Sequence, residues 1–190
     1  MTLLKIARMG HPVLVRRAEE IPDPTTREIR ALIEDMVETM TDARGVGLAA
    51  PQVHIPKRVI IFNAPRTRGE ADAPETEFAP LTALINPEIE VLDEEQELGW
   101  EGCLSIPGLT GAVPRYRRIR YSGLAPTGKR ISREATGFHA RVVQHECDHL
   151  DGVLYTMRMT DLSLLSFTDE LQRLAGAAAE ESPVDDGEDC

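Results

Sequence analysis

Gln144-His145-Glu146-Cys147-Asp148-His149 brings together residue types that hold metal ions and move protons. On an α-helix, His145 and His149 stand about 40° apart in azimuth and about 6 Å apart along the axis. Both imidazoles can then reach one metal ion. Glu146 lies about 80° off that face. It is close enough to handle a proton on a water that the ion activates, without itself being a ligand. Three polar residues on a solvated helix face are the competing reading. The origin of a third ligand decides between them.

Cys103 lies in Gly99-Trp100-Glu101-Gly102-Cys103-Leu104-Ser105-Ile106-Pro107-Gly108, where glycines and a proline suggest a loop or an irregular strand. Its thiolate would complete a Cys-His-His set and leave a fourth tetrahedral position for water, as catalytic metal sites require. A small buried hydrophobe is the commoner fate of a free cysteine. Cys147 is the rival ligand, but it points about 200° from His145 on the same helix and is expected in the core. Cys190 has no evident role. A borderline-soft Cys-His-His set suits zinc. The third element is Arg44-Gly45-Val46-Gly47-Leu48-Ala49-Ala50-Pro51-Gln52-Val53. Its small residues let a backbone approach closely, and Gln52 presents an amide donor beside that approach. Gly45-Val46-Gly47 alone reads more simply as a helix stop and turn. No Lys-Ser/Thr follows the glycines, so a phosphate loop is unsupported.

These residues must be positioned by one domain, the size prior for 190 residues. The apolar fraction of 42% is ordinary for a globular protein, and the net charge of −11 argues against nonspecific binding to nucleic acid or an anionic membrane. Carboxylates crowd the end beyond Arg173, so residues 1–175 are expected to form the domain and 176–190 an acidic, disordered tail. No run of 18 apolar residues exists to span a membrane. Met1 to Arg16 carries no export signal. Three cysteines make no disulfide framework and fit a reducing compartment. The expectation is a soluble, cytoplasmic protein.

Thr25 and Glu28 are spaced as a capping box, and Ile29, Leu32, Ile33, Met36, Val37 and Met40 follow at helical period until Gly45. Arg58–Asn63 reads as a buried strand, 64–80 as an exposed loop, and Thr82–Leu92 as a strand kinked or edged at Pro87. Ala112–Leu124 reads as one long strand, followed after Pro126-Thr127-Gly128 by another near Lys129–Glu134. A helix over Gly137–Leu150 carries the histidines. A last helix over Asp161–Leu174 would bury Leu164, Phe167, Leu171 and Leu174. The class is α+β: mainly antiparallel strands around a central metal-binding helix, with an N-terminal and a C-terminal helix.

In order and spacing, Gly45-Val46-Gly47-Leu48-Ala49-Ala50-Pro51-Gln52, Glu101-Gly102-Cys103-Leu104-Ser105 and Gln144-His145-Glu146-Cys147-Asp148-His149 resemble the three signature motifs of the peptide deformylases. The likeness extends through Met9-Gly10-His11-Pro12 and Val113-Pro114-Arg115 and covers most of residues 1–160. It implies removal of the N-formyl group from the N-terminal methionine of newly synthesised polypeptides, releasing formate. By the resemblance, Cys103, His145 and His149 are metal ligands with water in the fourth position. The metal it implies is Fe(II), for which zinc, nickel or cobalt substitutes. Glu146 takes the proton of the attacking water and passes it to the leaving amine. The oxyanion is held by the ion, the Gln52 amide and the backbone N–H of Leu104. Gly47, Gln52 and Leu104 pack tightly enough to exclude acetyl.

The resemblance also assigns Val46, Phe138, Val142 and the aliphatic part of Arg141 to a methionine pocket, with ordinary core packing as the alternative. Glu101 with Arg115 reads either as an ion pair bracing the cysteine loop or as a solvated surface pair. Thr110 stands where some relatives carry an arginine, so a substrate-backbone contact there is expected to be missing. The acidic C-terminal region argues against a basic helix docking on ribosomal RNA. The expected partners are N-formyl-methionyl peptides, with any ribosome contact transient, no DNA, no membrane, and a monomeric state. Two other readings compete. In a zinc peptidase Glu170 would supply the third ligand, but Cys103 and Gln52 would have no role. A non-catalytic metal-binding relative would be expected to lose Glu146 or Gln52, and both are present.

Overall fold

The computed structural model describes residues 2–66 and 74–180. Two antiparallel sheets enclose one helix. The larger sheet has the order β1 (Gly47–Ala49), β2 (Val59–Ala64), β3 (Ala79–Val91), β6 (Arg118–Leu124), β7 (Arg130–Thr136). The smaller has the order β4 (Gln96–Cys103), β5 (Ile106–Tyr116), β8 (Leu165–Phe167). Helix α2 (Gly137–Leu150) packs on β2, β1 and β7 of the one and on β5 of the other. Helix α1 (Arg27–Asp42) covers the opposite face of the larger sheet, and α3 (Thr168–Glu180) follows β8. The α+β class and the central helix are as expected.

Strand alternation explains the layering. Ile60, Phe62, Leu84, Ile119 and Tyr121 point toward α2 and bury against Val143, Cys147 and Leu150. Val59, Ile61 and Ile85 point the other way, onto Ile29, Leu32, Ile33, Met36 and Met40 of α1. Cys147 is thus a core residue.

Four local expectations are corrected. The capping box does not form: Thr26 is the N-cap, accepting from Ile29 N at 3.4 Å, while the Thr25 hydroxyl donates to Asp23 at 2.6 Å. Ala112–Leu124 is two strands in different sheets, divided at Arg117. Val113, Arg115, Ile119 and Tyr121 are buried in one phase on either side of the break, and only the exposed Arg117 between them interrupts it. The segment around Cys103 is a regular hairpin turning at Leu104-Ser105, irregular only in a register shift at Gly102/Cys103. The helix expected over Asp161–Leu174 begins only at Thr168, because Leu165–Phe167 pair with β5. Phe167 and Leu174 of its supposed buried stripe are 62% and 69% exposed.

The expected kink in β3 is real. Asn86 adopts φ 49° beside Pro87, the ladder shifts between Ile85 and Glu88, and the Asn86 amide bonds Ile21 N and O, each at 2.9 Å. Part of the expected 64–80 loop, residues 67–73, lies outside the described residues, as does the expected tail from 181 onward. The remainder of that loop includes a turn at Glu75–Glu77 and the first residues of β3. Among the described residues, no helix is long and apolar enough to cross a membrane.

Phe62 meets Tyr121 edge-on at 5.6 Å beneath α2. Phe62→Ala is expected to cost about 3–5 kcal/mol in urea unfolding, and Leu174→Ala less than about 0.5 kcal/mol. Equal losses would contradict the layering and the corrected C-terminal segment.

Candidate active site

Helix α2 is buried along most of its length because sheets pack on both sides of it. His145 and His149 therefore project into protein, with ring centroids 5.0 Å apart. The β4–β5 turn brings Cys103 to them: its Sγ is 3.3 Å from His149 Nε2. One ligand atom from each of Cys103, His145 and His149 lies within 4.8 Å of the others. A tetrahedral ion bound at about 2.0–2.3 Å needs its donors about 3.3–3.6 Å apart; the Cys103–His149 pair already stands at 3.3 Å, and the His145 nitrogen is near enough to join them. Burial keeps His149 well below its ordinary pKa and hence neutral, the form that ligates.

His145 is oriented from behind. Its Nδ1 lies 2.8 Å from Glu101 Oε2, leaving Nε2 for the site. Glu101 receives a two-pronged bond from Arg115, Nε to Oε1 at 2.9 Å and Nη2 to Oε2 at 3.0 Å. Burial alone would raise the Glu101 carboxyl, but the bonds from His145 and Arg115 hold it down at about 2. Arg115 reaches on to Asp148 at 2.6 Å, and Asp148 is held by Arg158 at 2.7 Å. The Glu101–Arg115 pair is therefore buried and attached to a histidine, not a solvated surface pair. Thr110 adds a bond from its hydroxyl to the Glu101 carbonyl at 3.0 Å.

Glu146 stands on the cleft side of the helix, buried, with Oε2 lacking a hydrogen-bond partner among the described residues. Burial pushes its carboxyl up to about 7, Glu101 adds to that, and His145 opposes it. Gly47 makes the position available: a Cβ there would lie 2.7 Å from Glu146 Cδ. Gln52 is held by its own oxygen, which accepts from Ala49 N at 2.8 Å. Its Nε2 is thereby turned to Cys103 Sγ at 3.5 Å and Ser105 Oγ at 3.2 Å. The N-terminal segment pins both loops, Ala7 N donating to Gln52 O at 2.7 Å and Met9 N to Ser105 O at 2.8 Å. Leu104 packs its side chain against Gly45, where a Cβ would stand 2.9 Å from Leu104 Cδ1.

A cleft of about 480 Å³ opens onto this cluster. Val46, Gly47, Phe138, Arg141 and Val142, the expected substrate residues, all line it, together with Gln52, Cys103, Leu104, His145 and Glu146. His149 sits behind them. Glu170 does not join the cluster; it lies on α3, paired with Arg173 at 2.7 Å. Trp100, Ile106 and Leu109 line the cleft without having been anticipated. A lone tryptophan among glycines next to Glu101 was the available signal. Asp148 was also overlooked as a brace, although a charge inside a helix buried on both sides demands a partner.

Glu101→Gln takes from Arg141 its carboxylate partner and leaves Arg115 to share Asp148 with Arg158. It is expected to cost about 3–5 kcal/mol in denaturant unfolding. A loss below about 1 kcal/mol would place the pair among weak surface bridges instead.

The sequence model of the polypeptide deformylase family matches residues 3–164. Peptide deformylase 1 of Bordetella pertussis is 56% identical over 166 residues, spanning 87% of this chain and 93% of that protein. Peptide deformylase 2 of Ralstonia nicotianae is 53% identical over 166 residues, spanning 87% and 92%. The Met-Ala-Ser-bound class I type b peptide deformylase of Acinetobacter baumannii superposes with a TM-score of 0.75 at 36% identity, covering 83% of this chain and 99% of that one. The peptide deformylase of Ehrlichia chaffeensis in complex with actinonin gives 0.77 at 31% identity, covering 96% and 100%. With that extent of likeness, the chain belongs to the polypeptide deformylase family, metal-dependent hydrolases that remove the N-formyl group from newly made polypeptides.

Proposed function

We propose that Cys103, His145 and His149 hold a single Fe(II), replaceable by zinc, nickel or cobalt, and that the cleft takes the formyl-methionine end of a nascent chain. One observation carries this reading: a sulfur and two imidazoles converge beside a buried carboxylate oxygen that has no hydrogen-bond partner among the described residues. The soft donor set suits zinc as well as iron, and the preference for iron rests on family likeness. When bound, such an ion supplies the Lewis acidity that makes water nucleophilic near neutral pH.

The chain's own residues do the rest. Glu146, raised toward neutrality by burial, is suited both to accept the proton of the attacking water and to return it to the departing amine. Gln52 Nε2 and the Leu104 backbone N–H donate to the oxyanion that develops on the formyl oxygen. Glu101 fixes the imidazole of His145, as outer partners of metal-ligating histidines do. Val46, Phe138, Val142 and the Arg141 stem receive the methionine side chain. Gly47, Gln52 and Leu104 leave room for a formyl hydrogen but not an acetyl methyl. The Acinetobacter structure with Met-Ala-Ser bound supports a peptide in this cleft.

We further propose that residues 1–175 act as one catalytic unit, as a monomer, in the cytoplasm where formylated chains emerge. Contact with the ribosome is then transient.

Glu146→Ala is expected to abolish formate release from formyl-Met-Ala-Ser while one metal per chain remains by elemental analysis. Turnover persisting near the wild-type rate would remove Glu146 from the chemistry. Gln52→Ala is expected to lower kcat about 100-fold, near 3 kcal/mol, with metal content unchanged. Acetyl-Met-Ala-Ser should be hydrolysed at least about 100-fold more slowly than the formyl peptide. Comparable rates would refute exclusion by packing.

A further inference from the structure

Arg141 does more than line the cleft. It lies one turn before His145 on α2, and its side chain, 12% exposed, crosses to the smaller sheet. Nη1 donates to Gly99 O at 3.2 Å, to Val113 O at 2.8 Å and to Glu101 Oε1 at 2.9 Å. Nη2 donates to Glu97 O at 2.7 Å. The guanidinium thus joins α2 to both strands of the hairpin that delivers Cys103. It lies against Gly99, where a Cβ would stand 2.7 Å from its Cζ and Nη2, so a side chain at 99 would push the guanidinium from this place. The carboxylate it touches is the one whose other oxygen holds His145 Nδ1 at 2.8 Å. His149 has no such support, its Nδ1 being buried without a hydrogen-bond partner among the described residues. Of the two imidazoles, His145 is the one whose orientation rests on Glu101.

We propose that Arg141 is a positioning residue that locks the Glu101 carboxylate, and through it the His145 imidazole, in the orientation that holds metal, and that Gly99 is its required complement. Arg115 grips Glu101 from β5 and reaches α2 through Asp148 at its C-terminal end, whereas Arg141 bonds the same carboxylate directly from α2, one turn before His145. Without Arg141, the hairpin keeps its links to the helix through Arg115–Asp148 and Glu101–His145 but loses the four bonds that fix the strand backbone and the Glu101 carboxylate beside the ligands. This inference rests on the reading that Cys103, His145 and His149 are the metal ligands.

The test uses Co(II), whose thiolate charge-transfer band reports Cys103 ligation and whose loss to a chelator can be timed. Wild type, Arg141→Met, Arg141→Lys, Gly99→Ala and the double variant Arg141→Met/Gly99→Ala are compared, with Tm, kcat and KM measured alongside. Arg141→Met is expected to release cobalt about tenfold faster, in the range seen when an outer partner of a metal ligand is lost. Its kcat should fall while KM stays within about threefold, because the methionine stem preserves the cleft wall. Arg141→Lys should recover part of the retention. Gly99→Ala should behave like Arg141→Met, and adding it to Arg141→Met should cause no further loss, since no guanidinium remains to be displaced. A lowered Tm with unchanged cobalt release and kcat would make Arg141 a staple of the outer strand and overturn the proposal. A wild type that binds cobalt without the thiolate band would instead overturn the ligand reading and the proposal with it.

Discussion

Glu101 is a buried carboxylate, and the architecture around the site follows from the need to compensate it. Removing an ion from water costs several kcal/mol unless partners replace the lost hydration. Here β5 supplies Arg115, α2 supplies Arg141 and His145, and Asp148 with Arg158 balances the far side of Arg115. Each partner comes from an element that also borders the cleft. The compensation of charge and the assembly of the site are consequently one event: the carboxylate is satisfied only when helix and hairpin are docked. That docking is also what brings Cys103 Sγ to His149 Nε2.

A second constraint is the absence of side chains at two glycines. Gly47 leaves the volume that the Glu146 carboxylate occupies, and Gly99 leaves the volume of the Arg141 guanidinium. The small residues of this chain are therefore spent on letting charged groups come close to backbone. Glu146 differs from Glu101 in the outcome. One is saturated with donors and held at about 2; the other keeps an oxygen without a partner among the described residues and is pushed up to about 7. Two buried carboxylates thus take opposite roles, one fixed as a brace and one free to exchange a proton.

The parts legible in the sequence are those fixed by local periodicity. His145, Glu146 and His149 share a helix, so their spacing alone sets their relative directions, and the outward turn of Cys147 follows from the same geometry. The Cys103 turn and Gln52 were recognisable from their glycine-rich surroundings and from family likeness. What was not legible depends on partners distant in the chain. The buried positions 113, 115, 119 and 121 share one phase, and an arginine is compatible with either face at 117, so the exchange of one sheet for the other is what reveals two strands. Leu164, Phe167, Leu171 and Leu174 are spaced for a helix, yet pairing of residues 165–167 with β5 outweighs that spacing. The fit of Arg141 over Gly99 and the hold of Arg158 on Asp148 carry no local pattern at all.

The central claim is that a thiolate from the hairpin and two imidazoles from the helix share one ion. X-ray absorption at the iron edge of anaerobically Fe(II)-loaded protein tests it directly. The arrangement requires one sulfur scatterer at about 2.3 Å with two imidazole nitrogens, and loss of the sulfur contribution in Cys103→Ser. A first shell of nitrogen and oxygen alone in the wild type would contradict it, since Cys103 would then stand beside the ion without binding it.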